Sequence, residues 1–240
     1  MCSLEKRGNI FFLTLTGNDE HRLNPNLIAS IRSQLSQVRQ QATPGTVLVT
    51  SAQGKFFSNG FDIAWAQSAG DKAVATDRLH QMVDLFKPAV ADLISLPIPT
   101  IAVVAGHAAA AGMVLAVSHD YVTMKSDRCV LYMSELDIGL TFPDYFTGLF
   151  RSKIGSASAM RDVMLKAVKV KSKEALAMGL VESEHGTGEE AMEAAVRMGE
   201  GLAKKGWNGE VYSEIRKAIY PELCAVLGLT TKTVIASPRL

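Results

Sequence analysis

Pro99-Thr100-Ile101-Ala102-Val103-Val104-Ala105-Gly106-His107-Ala108-Ala109-Ala110-Ala111-Gly112 passes from a proline break through an apolar run into a glycine turn and then an alanine-rich segment. Thr100 to Ala105 is short, apolar throughout and bounded by turn residues, which predicts a buried strand. Ala109 to Ser118 predicts a helix that opens just past Gly106, and Asp120 to Lys125 supplies a further short strand. Upstream, Asn9 to Thr16 and Thr46 to Thr50 read as strands with an amphipathic helix, Pro25 to Gln41, between them. A long helix is expected from Asp77 to Leu96, bent at Pro88 and stopped by Pro97-Ile98-Pro99. Downstream, the chain turns through Phe142-Pro143-Asp144. Helices then follow over Tyr145 to Lys153, Ser156 to Leu165 and Lys173 to Met178, with Leu180-Val181-Glu182 as a strand. From Gly188 onward only helices are expected, Glu189 to Lys205 and Glu210 to Leu227. Strand-type runs alternating with helical ones define an α/β architecture, without internal repeat or low-complexity tract.

Composition narrows the function classes. The 240 residues are 48% hydrophobic and 20% charged, enough for one large core or a core with a small appendage. A net charge of +1 gives no broad electrostatic capture of nucleic acid or of an anionic membrane, so neither is an expected partner. Cys2, Cys129 and Cys224 are too few and too scattered for a disulfide framework or a zinc site, and free thiols in a reducing compartment are expected. The apolar run Ile101 to Val117 is interrupted by Gly106, His107 and Gly112, so no membrane span is expected. A strand begins within ten residues of Met1, which does not fit a secretory signal. The ending Ser237-Pro238-Arg239-Leu240 is similar to a Ser-Lys-Leu peroxisomal address.

A second glycine turn, Ser58-Asn59-Gly60-Phe61-Asp62, stands beside the Gly106 to Gly112 turn, and an acid, Glu135, follows in Tyr132-Met133-Ser134-Glu135-Leu136-Asp137-Ile138-Gly139. Two such turns can each aim a backbone N–H at one carbonyl oxygen while a nearby carboxylate moves a proton on the adjacent carbon. That is enolate chemistry. Other residues read as structural: Asp62 as a helix cap, Asp120 at a helix end, His107 and His119 in packing or hydrogen bonding, and Trp65 and Trp207 in packing. Arg197, Lys204, Lys205, Arg216 and Lys217 read as a solvated helix face rather than as a phosphate site.

Phe56-Phe57-Ser58-Asn59-Gly60-Phe61-Asp62, then Pro99-Thr100-Ile101-Ala102 leading to Gly106-His107-Ala108, then Ser118-His119-Asp120 together resemble the crotonase (enoyl-CoA hydratase/isomerase) superfamily. Within it the chain is most similar to the plant peroxisomal Δ3,Δ2-enoyl-CoA isomerases. The resemblance covers nearly the whole chain. It implies a spiral of ββα units over residues 1–186 and a C-terminal helical region, 187–240, for oligomerisation as a trimer or dimer of trimers and for closing the site. It also implies a coenzyme A thioester as substrate, with no separate cofactor and no metal, and a peroxisomal import receptor as partner of the C-terminus. By position, the oxyanion hole falls to the backbone N–H groups of Phe61 and Ala111, and substrate-binding positions to Ser58, Gly60, Asp62, Gly112 and Phe142.

Hydratases of the superfamily use two glutamates, one to activate water and one to protonate carbon. The first would stand where this chain has Val114, and the second is Glu135. One remaining carboxylate can still move a proton from C2 to C4, which favours isomerisation; the resemblance and the tail together imply a place in peroxisomal fatty-acid β-oxidation. Some isomerases of the superfamily carry their glutamate in the later loop, where this chain has Pro143. Asp144 is the reserve acid and Asp137 is expected to point elsewhere. Apolar neighbours, Phe142, Tyr145 and Phe146, are expected to raise the carboxyl pKa. The alternatives are hydration, thioester hydrolysis and a non-catalytic acyl-CoA-binding subunit.

Overall fold

A computed structural model describes residues 1–236. The chain forms β1 (Cys2–Arg7), β2 (Ile10–Leu15), α1 (Pro25–Gln41), β3 (Val47–Ala52), β4 (Phe56–Ser58), α2 (Ile63–Gln67) and α3 (Lys72–Ile94). There follow β5 (Thr100–Val104), β6 (His107–Ala109), α4 (Ala111–Val117), β7 (Tyr121–Lys125), β8 (Leu131–Tyr132), α5 (Asp144–Lys153), α6 (Ala157–Leu165) and α7 (Ser172–Ala177). The chain ends in β9 (Ser183–His185), α8 (Gly188–Ala203), α9 (Gly209–Ile219) and α10 (Pro221–Leu227).

The strands lie in two sheets. The larger has the order β1-β2-β3-β5-β7-β9 and the smaller β4-β6-β8. Only the β1–β2 pair is antiparallel. Three successive passes, β3-β4, β5-β6 and β7-β8, place one strand in each sheet and then enter a helix, which is the ββα spiral. β5 is apolar and buried at every position after Thr100, as a parallel strand covered on both faces must be. The main core fills the space among the larger sheet, α1, α3 and α4, with Phe11, Ile31, Leu35, Phe86 and Val90 fully buried. Beneath the other face, Ala191 and Ala195 of α8 pack on Val47, Val49, Ile101 and Val103. The region after residue 187 is thus also part of the core.

Local chemistry sets the helix ends. Asn24 caps α1 by accepting from Leu27 N–H at 3.0 Å, with Pro25 at the first helical position. α3 starts at Lys72, earlier than the expected Asp77, because Asp71 accepts from the N–H groups of Ala73 and Val74. It runs through Pro88, its lost ladder bond outweighed by the buried face of Met82, Phe86, Ala89, Val90 and Leu93.

One strand is added and three further expectations are corrected. β1 was not expected: its Glu5-Lys6-Arg7 charges mask a strand on the exposed sheet edge. The helix expected from Ala109 opens at Ala111, because the preceding residues pair as β6 and Ala110 takes a positive φ. The strand expected at Leu180-Val181-Glu182 is shifted to Ser183–His185. Leu180 and Val181 are buried in the core, while pairing with β7 begins at Glu182 N–H, 2.8 Å from Val122 O. The single helix expected over Glu210 to Leu227 breaks at Tyr220, since Pro221 cannot donate to the ladder and opens α10 instead.

Candidate active site

The two glycine turns lie at the ends of neighbouring strands of the small sheet, β4 and β6, and pack backbone to backbone. A Cβ on Gly112 would lie 2.2 Å from Ser58 O, and one on Gly60 would lie 3.1 Å from Ala109 O and 3.6 Å from Ala111 N. Gly60 also has φ +71°, so no other residue fits there without strain. Between the turns Ala110 sits at φ 50°, ψ −124°, a conformation that costs a non-glycine residue on the order of 1–3 kcal/mol. It is held by Ala110 N–H donating to Tyr132 O at 2.8 Å and by Val114 N–H donating to Ala110 O at 3.1 Å. Ala111 is the first residue of α4, so its N–H has no partner within the helix. Among the described residues, neither Ala111 N–H nor Phe61 N–H has an acceptor.

Glu135 follows β8 in a tight turn, with Leu140 N–H donating to its carbonyl at 2.8 Å. Its side chain is on the wall of a cavity of about 400 Å³ that also includes Phe61, Ala110, Phe142 and Phe146. It is the only carboxylate on that wall among the described residues. The residue is 6% exposed, and Oε2 has no hydrogen-bond partner. Burial pushes the carboxyl up to about 7, partly opposed by the backbone N–H groups of Glu135 and Ser134. Phe61 and Phe146 stack at 6.2 Å on the cavity wall, while Tyr145 is buried behind it and donates its hydroxyl to Val83 O at 2.9 Å.

The other sequence candidates fall elsewhere. Ser58 is buried behind the first turn and donates to His21 O at 2.7 Å. Asp62 caps α2 by accepting from Trp65 N–H at 2.9 Å. Ser58, Gly60, Asp62 and Gly112 therefore shape the turns without lining the cavity, whereas Phe142 lines it. Asp144 begins α5 and pairs with Lys87 at 3.3 Å, Asp137 is exposed, and Val114 is buried in the core. His119 is held neutral by burial, which drives its pKa down to about 4. Its Nδ1–H donates to Leu115 O at 3.0 Å and its Nε2 accepts from Thr50 Oγ1 at 2.7 Å.

Arg216 and Lys217 correct the reading of a solvated helix face, since both are buried. Arg216 clamps Asp120 through Nε and Nη2, each at 2.6 Å, and Nη1 donates to Leu96 O at 2.6 Å. Sequence reasoning also missed cavity residues Arg22, Asn59, His80, Ala110 and Ser134. Asn59, Ala110 and Ser134 lie inside stretches read for their turns or for Glu135, whereas Arg22 and His80 lie outside any motif. Ala110 could be suspected only from its place inside the Gly106 to Gly112 turn.

Three comparisons bear on this geometry. The profile of the family described as enoyl-CoA hydratase/isomerase matches residues 5–220. The chain is 58% identical over 241 residues to Arabidopsis thaliana "Enoyl-CoA delta isomerase 2, peroxisomal", covering 100% of both chains, and 57% identical to Arabidopsis thaliana "Enoyl-CoA delta isomerase 3", covering 98% of both. The apo structure of a Mycobacterium tuberculosis enoyl-CoA isomerase superposes with a TM-score of 0.81 over 95% of this chain and 94% of that one. At 20% identity this is a likeness of fold alone.

Proposed function

The chain belongs to the enoyl-CoA hydratase/isomerase family, and from that membership and its site we propose that it is a Δ3,Δ2-enoyl-CoA isomerase of peroxisomal fatty-acid β-oxidation. It moves the double bond of a 3-enoyl-CoA into the trans-2 position. The observation that carries the reading is a single buried carboxylate, with one oxygen unpartnered, in a cavity walled by Phe61, whose N–H is free, and by Ala110, the residue before the free N–H of Ala111.

The thioester oxygen accepts from Phe61 N–H and Ala111 N–H, which stabilise the charge that develops there when C2 loses its proton. Glu135 takes that proton. The resulting dienolate carries electron density at C4 as well as C2, and the same carboxylic acid returns the proton at C4. Proton and electron balance close without a cofactor, coenzyme A being part of the substrate. A carboxyl near neutrality suits both halves of the shuttle, since it neither holds nor refuses the proton strongly. Hydration would need a second group to activate water, and the cavity wall offers no second carboxylate among the described residues.

The ionised carboxylate must be present before the first proton transfer, and burial delays its appearance to about pH 7. Below that value kcat/KM for 3-hexenoyl-CoA is expected to fall about tenfold per pH unit. A kcat/KM that stays flat down to pH 5 would contradict this assignment.

The name of the Arabidopsis thaliana relative supports the peroxisome, and Pro238-Arg239-Leu240 lie outside the described residues. Deleting them from a fluorescently tagged chain is expected to leave the protein in the cytosol, and continued import would remove the tail from the argument. Exposed Trp207 before α9, with Ile215 and Ile219 four residues apart on it, supports self-association of the C-terminal helices as a trimer or dimer of trimers.

A further inference from the structure

Ala110 stands in a backbone conformation that belongs to glycine. At φ 50°, ψ −124° it lies outside even the left-handed well, whose ψ runs from roughly +30° to +60°. The same turn has glycine at 106 and 112 but alanine at 110, so a methyl is kept where the backbone opposes it. The main chain of Ala110 is already engaged, its N–H donating to Tyr132 O and its carbonyl accepting from Val114 N–H. What this half-buried residue presents to the reaction cavity is therefore its Cβ.

That Cβ also meets the opposite turn. It lies 3.1 Å from the point where a Cβ on Gly60 would stand, and it is the only side-chain atom among the three nearest to that point, the others being Ala109 O and Ala111 N. Gly60 directly precedes Phe61, and Ala110 directly precedes Ala111. One methyl thus stands between the two residues that lead into the free N–H groups.

We propose that the Ala110 methyl is a spacer that sets the distance and angle between the Phe61 and Ala111 N–H groups, which makes Ala110 a positioning residue for the oxyanion hole. The inference rests on the isomerase reading and deepens it by one residue. A hole of two donors works only where both reach the same oxygen, and a misplacement of about 1 Å costs up to about a hundredfold in rate. With glycine at 110 the turn relaxes and a methyl-sized gap opens against Gly60, so both turns lose the contact that fixes them. The fold maintains the strain at Ala110 because it aligns the donors before substrate arrives.

The experiment measures kcat and KM for 3-hexenoyl-CoA, Tm, and the infrared carbonyl band of bound hexanoyl-CoA isotopically labelled at its thioester carbonyl, in wild type, Ala110→Gly and Ala110→Ser. Hexanoyl-CoA has no double bond to move, so its band reads the hole without turnover. Ala110→Gly is expected to lower kcat about tenfold or more while KM changes less than about threefold, because the ground-state carbonyl carries little of the charge that the hole stabilises. Its Tm is expected to stay level or rise by about 2–4 °C, since glycine relieves the backbone and keeps both hydrogen bonds. The carbonyl band is expected to lie below its position in water in wild type and to move back towards it in Ala110→Gly. Ala110→Ser, which keeps a carbon against Gly60, is expected to recover most of the lost kcat. An unchanged kcat and band in Ala110→Gly, or a loss of kcat that comes with a fall in Tm of about 5 °C or more, overturns the inference. A band that moves back in Ala110→Gly in a protein that isomerises nothing supports the spacer and overturns the isomerase reading alone.

Discussion

Glu135→Gln is expected to lower kcat for 3-hexenoyl-CoA isomerisation by about a thousandfold or more, the scale of a lost general base that also serves as the acid. The amide keeps the shape of the side chain but can neither take the C2 proton nor return it. The same substitution is expected to stabilise the fold above neutrality. A carboxyl whose folded pKa is raised from 4.5 to about 7 prefers its proton in the folded state. Its contribution is therefore full below pH 4.5 and is lost as pH rises through 7. Over that window the wild type gives up about 3 kcal/mol that the permanently neutral glutamine keeps, an upper value because the site can relax around the charge. Thermal unfolding at pH 5 and pH 8 reads this directly: the advantage of Glu135→Gln should grow with pH. A variant that retains a tenth of wild-type turnover, or that is less stable than wild type at pH 8, would break the link between burial and catalysis.

Arg216→Met is expected to cost the fold about 3–5 kcal/mol, because it leaves Asp120 buried without its countercharge. Burial alone would raise the Asp120 carboxyl, yet the Arg216 guanidinium and Lys153 hold it below the ordinary range. The guanidinium also donates to the carbonyls of Leu96 and Ile98, each at 2.6 Å, and so ties α9 to the segment leading into β5. For a chain of this length the loss corresponds to a fall in Tm on the order of 10 °C. Pairing the change with Asp120→Leu should recover part of it, since the orphaned charge is then gone. A single variant within about 2 °C of wild type would mean that water or a neighbouring cation repairs the site.

The same arginine shows where sequence reasoning stops. Nothing in Tyr212-Ser213-Glu214-Ile215-Arg216-Lys217 separates the buried base from an exposed one, because its partner Asp120 lies 96 residues away and meets it only through the packing of α9 on the chain before β5. The turns were legible for the opposite reason. Gly60 and Gly112 are required by backbone contacts at 3.1 and 2.2 Å, which leave a mark in the residue type itself. The long apolar runs gave β2, β3 and β5, whereas β4, β6 and β8, two or three residues each, are too short to carry a period and take their form from pairing alone. Glu135 was legible as an acid near two turns, but its burial and its unpartnered oxygen arise from the fold of the 134–140 turn around it.

The central claim is a single-carboxylate shuttle in place of a two-acid hydration site. It is tested most directly by giving purified wild type 3-hexenoyl-CoA and trans-2-hexenoyl-CoA in parallel, and following formation of the conjugated enoyl thioester from the first and of the 3-hydroxyacyl thioester from the second. Rapid isomerisation with hydration slower by about a hundredfold or more is the predicted result. Hydration at a rate matching isomerisation would contradict it, since a second water-activating group would then have to be present.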